Sequence, residues 1–237
     1  MCTLTFARSV GGVLITMNRD DAPAREEMAP RQWDRAGHRF VAPLDALGGG
    51  TWMAANRYGV TACLLNRYDP AHAGDVTRGA IVPEAMGGDT VDSAVALVTR
   101  LNHKRFSPFT CIVVSTARAA RLDWTGDTLV ETTLPVGSSW MATSSSWRPD
   151  FVTEQRQALF DACLATECSV SSGLEAFHCM RKPEDDVWAP MMLREHSQTK
   201  SVTQVELGDH ASRMSYWRRE SAILNRFTAP DVVLDIV

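Results

Sequence analysis

Short apolar runs broken by glycines organise the start of the chain. Cys2 to Phe6 and Val13 to Met17 are apolar and partly β-branched, and Gly11-Gly12 between them gives the backbone freedom to turn. The pattern predicts a β-hairpin whose pairing brings Cys2 and the beginning of Asn18-Arg19-Asp20-Asp21 to the same end of a sheet. Residues 22 to 50 are rich in Pro, Arg and Gly with weak periodicity, which reads as an ordered excursion over the sheet anchored by Trp33 and Phe40. Gly48-Gly49-Gly50 permits a tight approach to a third strand over Thr51 to Ala55, the segment Asn56 to Gly59 turns, and Val60 to Leu64 returns. Loop signals fill 66 to 86, so Asn56 and Asn66 both fall near strand ends.

Helical spacing appears from Val91 to Leu101, with Asp89 as the expected cap and an end near His103. Phe109 to Thr116 reads as a strand, and 121 to 133 as a hairpin around Gly126-Asp127. A second helix is expected from a cap at Asp150 to about Cys163, its inward face formed by Val152, Leu159, Ala162 and Cys163. The serine-rich segment 138 to 146 has too much apolar content for a linker. Late strands are expected over Ser201 to Leu207, Met214 to Trp217 and within 229 to 237. Strand pairs with covering helices favour an α+β sandwich over a regular βαβ dinucleotide fold, as one domain over residues 1–237.

Composition narrows the partners. Over 237 residues, 45% are apolar and 22% charged, which describes a globule able to bury a core without staples. A formal charge of -4 provides no basic field, so nucleic acid is not an expected partner. Cys2, Cys63, Cys111, Cys163, Cys168 and Cys179 form no C-x-x-C unit, which suits a reduced, cytoplasmic chain. No leader-like segment and no sufficiently long apolar run is present, so transmembrane insertion is not expected. The six histidines are scattered, and His178-Cys179 lacks zinc-ligand spacing. Neither glycine cluster makes a nucleotide fingerprint, and Ser144 lacks a G-x-S-x-G setting. No metal or cofactor is expected.

Candidate chemistry concentrates at Cys2. A residue this small after Met1 meets the steric condition for removal of the initiator, which would leave an α-amine and a thiol on one residue. Reference pKa values of about 7.7 to 8.0 and about 8.5 are close enough for the amine to assist thiol deprotonation. Cys2 would then be both nucleophile and carrier of its general base. The other reading is a buried structural thiol beneath a retained Met1.

Met1-Cys2, the hairpin, Asn18-Arg19-Asp20-Asp21 and the run from Gly49 through Trp52, Asn56 and Arg57 to Gly59 resemble, in order, the NRDE protein family, also called the transport and Golgi organisation family. Weaker similarity extends through Thr143-Ser144-Ser145, the helix beginning near Asp150, and Thr199 to Thr203. The chain departs from the family signature at Asp21, where Glu is usual, and at Met53-Ala54-Ala55. The resemblance implies a four-layer αββα N-terminal-nucleophile hydrolase sandwich. It further implies Cys2 as nucleophile, Arg19 as support for thiolate or developing negative charge, and Asp20 or Asp21 as the group that orients the amine. Asn56 and Asn66 are candidate oxyanion donors, with backbone amides near Gly50 or Ser144 as alternatives. The expected reaction is hydrolysis of a non-peptide C–N bond in a small or lipid-like amide, with Trp52, Met53, Trp140, Met141 and Trp147 as candidate pocket walls. The alternative is a non-catalytic lipid or haem binding and trafficking protein on the same scaffold.

Overall fold

The computed structural model describes residues 2–71, 73–181, 187–208 and 211–237. Met1, His72 and His210 lie outside these residues. The strands are β1 (Cys2–Ser9), β2 (Gly12–Asp21), β3 (Glu27–Arg35), β4 (His38–Asp45), β5 (Met53–Asn56), β6 (Thr61–Asn66), β7 (Phe109–Val114), β8 (Ala119–Trp124), β9 (Leu129–Leu134), β10 (Trp140–Ser144), β11 (Gln198–Gly208), β12 (Ser212–Arg218) and β13 (Val232–Asp235). The helices are α1 (Ile81–Ala85), α2 (Val91–Thr99), α3 (Pro149–Thr166), α4 (Val170–His178) and α5 (Arg219–Asn225).

Two antiparallel sheets result. The first has the order β10-β1-β2-β11-β12-β13 and the second β3-β4-β5-β6-β7-β8-β9. Val13, Ile15 and Met17 of β2, with Leu4 and Phe6 of β1, meet Met53, Cys63, Leu65 and Ile112 of the other sheet. The alternate residues of β1 and β2 face α3 and α4, where Ala7 and Leu14 pack on Phe160, Leu174 and Phe177. The outer face of the second sheet packs on α1 and α2. This is the αββα sandwich, and its layering explains why the first hairpin is apolar on both faces: both are covered.

The hairpin forms as expected, with Cys2 opposite Arg19. Several expectations need correction. Residues 22 to 50 do not wander over the sheet; β3 and β4 pair as a hairpin and extend the second sheet. Pro30 and a register shift between Met28 and Arg31 break the alternation, and the exposed edge position of β3 supplies few apolar residues to restore it. Trp33 and Phe40 are its anchors, with stacked rings 5.5 Å apart. The 66 to 86 loop contains α1. Thr90, rather than Asp89, caps α2 in a reciprocal pair with Ser93, while Asp89 accepts from the Ser93 hydroxyl. The N-cap of α3 is Arg148, at φ 42°, with Pro149 at the first helical position. Its buried face is Val152, Arg156, Phe160 and Cys163; Leu159 packs half-buried against the same core, whereas Ala162 is exposed, and Arg156 and Phe160 complete the inward face. The serine-rich segment is β10, which pairs with β1.

Among the described residues no helix is long and apolar enough to cross a membrane. Two core thiols add a pH signature. Burial pushes Cys111 up to about 12 and raises Cys63 well above the ordinary range, with Cys111 and Cys2 as further causes for Cys63. The folded state therefore keeps protons that the unfolded chain releases above about pH 8.5. Stability is complete below that pH and declines as pH rises towards the folded-state values, by up to about 1.4 kcal/mol per pH unit for each thiol. Urea unfolding at about pH 8 and pH 10 checks this, because Cys63→Ala with Cys111→Ala flattens the decline if the thiols cause it.

Candidate active site

Register places the first site elements. Cys2 heads β1 between Ser144 of β10 and Arg19 of β2, and Asp20 lies opposite Thr199 of β11. The Cys2 backbone nitrogen donates to Ser144 Oγ at 3.2 Å, and its carbonyl accepts from Thr143 Oγ1 at 3.2 Å. Cys2 packs with the inter-sheet core and lines a cavity of about 140 Å³ together with Arg19, Asp20, Asp21, Trp52, Asn66 and Arg78. Burial raises the pKa of its thiol; the Asp20 charge adds to this, whereas Arg19 and a backbone hydrogen bond from Asp20 oppose it.

Strand alternation divides the Asn18 to Asp21 motif between two environments. On the inter-sheet side, Arg19 donates to Glu27 at 2.6 Å and Asp21 at 2.9 Å, lies 3.8 Å from Asp45, and stacks 4.4 Å above the Trp52 ring. Arg25 bridges Asp45 and Asp21. Burial works against ionisation of Asp45, but the Arg25 hydrogen bonds and the charge of Arg19 outweigh it and hold the carboxyl below its usual range. Glu27 also accepts from Tyr216 Oη at 2.8 Å. Arg19 is thus a caged cation that acts on the Cys2 thiol through space.

On the helix side, Asp20 is buried and accepts from Thr199 Oγ1 at 2.6 Å. The fully buried Arg156 reaches from α3 to within 3.9 Å of it. Arg156 also donates to Thr3 Oγ1, to Thr143 Oγ1 at 2.9 Å, and to the carbonyls of Trp188 and Ala189 at 2.8 and 3.0 Å. Beside it, His178 Nδ1 and Nε2 pair with Asn18 Oδ1 at 2.6 Å and Thr5 Oγ1 at 2.7 Å. Burial, reinforced by Arg156, drives the pKa of this imidazole down to about 3.

The two asparagines separate. Asn66, at the end of β6, lines the Cys2 cavity and two larger neighbouring ones. Asn56 ends β5 at the opposite end of these neighbouring strands; its amide donates to the Met86 and Gly88 carbonyls while its oxygen accepts from Tyr58 and Val60. It organises a turn and does not reach the cavity. Of the expected pocket walls, Trp52 and Trp147 line cavities, while Met53 and Trp140 pack between the sheets and Met141 packs towards α3 and α4.

Sequence reasoning did not find Arg156, Arg78 or Tyr68, and it reached Thr199 only as part of the family resemblance. Arg156 has the correct helical spacing from Val152 and Phe160, but its charge disguised it. Arg78 reaches the site because Gly50 and Gly79 touch: a Cβ on Gly50 would sit 2.4 Å from the Gly79 carbonyl carbon, and Thr51 donates to Gly79 at 3.0 Å.

The four-layer αββα sandwich is that of the N-terminal-nucleophile hydrolase fold, and Cys2 stands at the head of its first strand. A Caenorhabditis elegans N-acylethanolamine-hydrolyzing acid amidase ortholog superposes at TM-score 0.60 with 15% identity, covering 86% of this chain and 92% of its own. Penicillin V acylase from Agrobacterium tumefaciens gives 0.54 at 10% identity, covering 100% and 86%. A C2A conjugated bile acid hydrolase from Clostridium perfringens gives 0.54 at 9%, covering 99% and 96%. At these identities the likeness is one of fold. No curated protein matches the chain. The family described as TANGO2, Transport and Golgi organisation 2, matches residues 1–214, and the chain belongs to it.

Two outcomes follow for the buried network. Arg156→Leu removes the buried cation facing Asp20 together with the hydrogen bonds that tie α3 to β1 and β10, and is expected to cost about 3 to 5 kcal/mol in urea unfolding. His178 is neutral when folded, so stability is complete above about pH 6.5 and falls as acid protonates the unfolded chain preferentially. His178→Gln should flatten the acid limb of a melting-temperature profile; an unchanged limb would exclude His178 as its source.

Proposed function

We propose that the chain is an amidohydrolase in which Cys2, made N-terminal by removal of Met1, cleaves a non-peptide C–N bond in a small or lipid-like amide. The observation that carries this reading is the placement of the Cys2 nitrogen and thiol together at a strand head bordering a cavity, with the nitrogen held by Ser144 Oγ at 3.2 Å. The fold relatives named for acid amidase, acylase and bile acid hydrolase activities support the reaction class.

In this reading the α-amine takes the thiol proton and the sulfur attacks the carbonyl carbon. Arg19 favours the thiolate, and the Asn66 amide is the side chain best placed to donate to the developing oxyanion. The C–N bond breaks as the α-ammonium protonates the leaving nitrogen. Water, deprotonated by the same amine, then adds to the thioester; the C–S bond breaks, the carboxylic acid leaves and the thiol is restored. Asp20 is the better candidate for orienting the amine, because its charge and backbone act on Cys2, whereas Asp21 belongs to the ionic cluster of Arg19 and Arg25. Stabilisation of charge by Ser144 and Asp20 lowers the cost of forming the ammonium.

Intact-mass measurement with an activated-ester probe tests this reading, and a long-chain N-acylethanolamine is the first substrate to try. We expect a chain lacking Met1, covalent labelling at Cys2 that accelerates as pH rises, and at least about 1,000-fold loss of turnover in Cys2→Ala. Retained Met1 with no Cys2 labelling, together with saturable lipid binding unaffected by Cys2→Ala, would replace catalysis by a carrier function.

A further inference from the structure

Two cavities larger than the one at the thiol flank it, and they differ in chemistry. One, of about 350 Å³, is lined by Arg67, Asp69, Arg121, Ser144, Asp150 and Thr153. The other, of about 580 Å³, exposes mostly apolar lining from Trp147, Val187, Tyr68 and Ala22. Asp20, Asp21, Glu195 and His196 are also in its walls, and the Arg194 guanidinium lies 5.1 Å above the Trp147 ring. Both share Asn66 and Tyr68, and Asn66 also borders the Cys2 cavity. The volumes are those of small-molecule sites.

Resting on the hydrolase reading above, we propose that the cavities divide the substrate. The amine half occupies the polar cavity and the acyl half the apolar one, so the amide cleaved joins an apolar acyl chain to a compact, uncharged, hydroxyl-bearing amine.

Proton transfer sets the orientation. When the C–N bond breaks, the leaving nitrogen must receive its proton from the Cys2 α-ammonium, so it has to lie on that side of the carbonyl. The Cys2 nitrogen is held by Ser144 Oγ, and Ser144 lines the polar cavity and is not among the walls of the apolar one. The acyl chain then extends past Asn66 in the other direction, towards Tyr68, Trp147 and Val187.

Charge balance sets the character of the amine. Arg67 is held by Asp69 at 2.7 and 2.8 Å and by Asp123 at 3.0 Å, and Arg121 binds Asp123 at 2.7 Å. Two carboxylates thus answer two guanidinium groups, and Asp150 adds a further negative charge to the wall. An anionic amine would meet neutralised cations and a surplus carboxylate. Hydroxyl groups of Thr143, Ser144 and Thr153 suit a neutral hydrogen-bonding group.

The test uses the mature protein with dodecanoyl amides of ethanolamine, glycine and taurine, alongside p-nitrophenyl dodecanoate. The ester reports formation and hydrolysis of the acyl-enzyme without placing an amine in the polar cavity. We expect kcat/KM for the ethanolamine amide to exceed that for the glycine amide by about tenfold. Asp69→Asn removes one partner of Arg67 and should narrow this preference about fivefold. Asp150→Asn, at an exposed position, should shift it in the same direction without disturbing the Arg67 pairs. Trp147→Ala should weaken ester and amides alike and alter chain-length preference. Ester turnover with an equal or reversed amine preference, or with acid-to-amide variants that leave the preference fixed, would overturn the division while the hydrolase reading stands. Absence of Cys2-dependent ester turnover would remove both.

Discussion

A single buried guanidinium secures the end of the molecule that carries the candidate chemistry. Arg156 ties α3 to β1 and β10 through Thr3 and Thr143, holds the backbone at 188 and 189, and faces Asp20 on β2. A fully buried charge is costly unless its hydrogen bonds and counter-charge are supplied together. Here the supply comes from segments far apart in sequence, so the cation is tolerable only when those segments have assembled. Cys2 is placed by the same strands, and its position is therefore tied to completion of the first sheet and its helix layer.

The alternation of β2 converts one short acidic and basic motif into two devices. Arg19 and Asp21 join the ionic cluster between the sheets, and Asp20 joins the hydrogen-bonded layer between the first sheet and its helices. Neighbours in sequence thus act on the same cysteine from opposite sides of a sheet. Arg19 opposes the rise of the thiol pKa, while Asp20 contributes to it by charge and offsets this partly through its backbone hydrogen bond.

The first hairpin was legible because its apolar runs and glycine turn are local, and the Cys2 to Arg19 pairing follows from them. Its surroundings were less so. Asn56 and Asn66 look equivalent as polar residues at strand ends, but successive antiparallel strands run in opposite directions and leave one at the far turn and the other at the cavity. The β3 and β4 hairpin was hidden by Pro30 and by exposure of an edge strand. Arg156 was missed since charge on a helix ordinarily signals solvent, and only long-range partners make it interior. Tyr68 and Arg78 reach the site from a loop whose path depends on the Gly50 to Gly79 contact.

The caged state of Arg19 also bears on how a ligand would arrive. Around the thiol, Arg19, Arg25 and Arg78 are matched by Asp20, Asp21 and Asp45, so opposing charges cancel within a few ångströms. Such a cluster projects little field beyond a Debye length of about 8 to 10 Å at ordinary ionic strength. Capture would then depend on desolvation of apolar surface, with encounter rates nearly indifferent to added salt but responsive to whether the ligand is free, micellar or held in a bilayer.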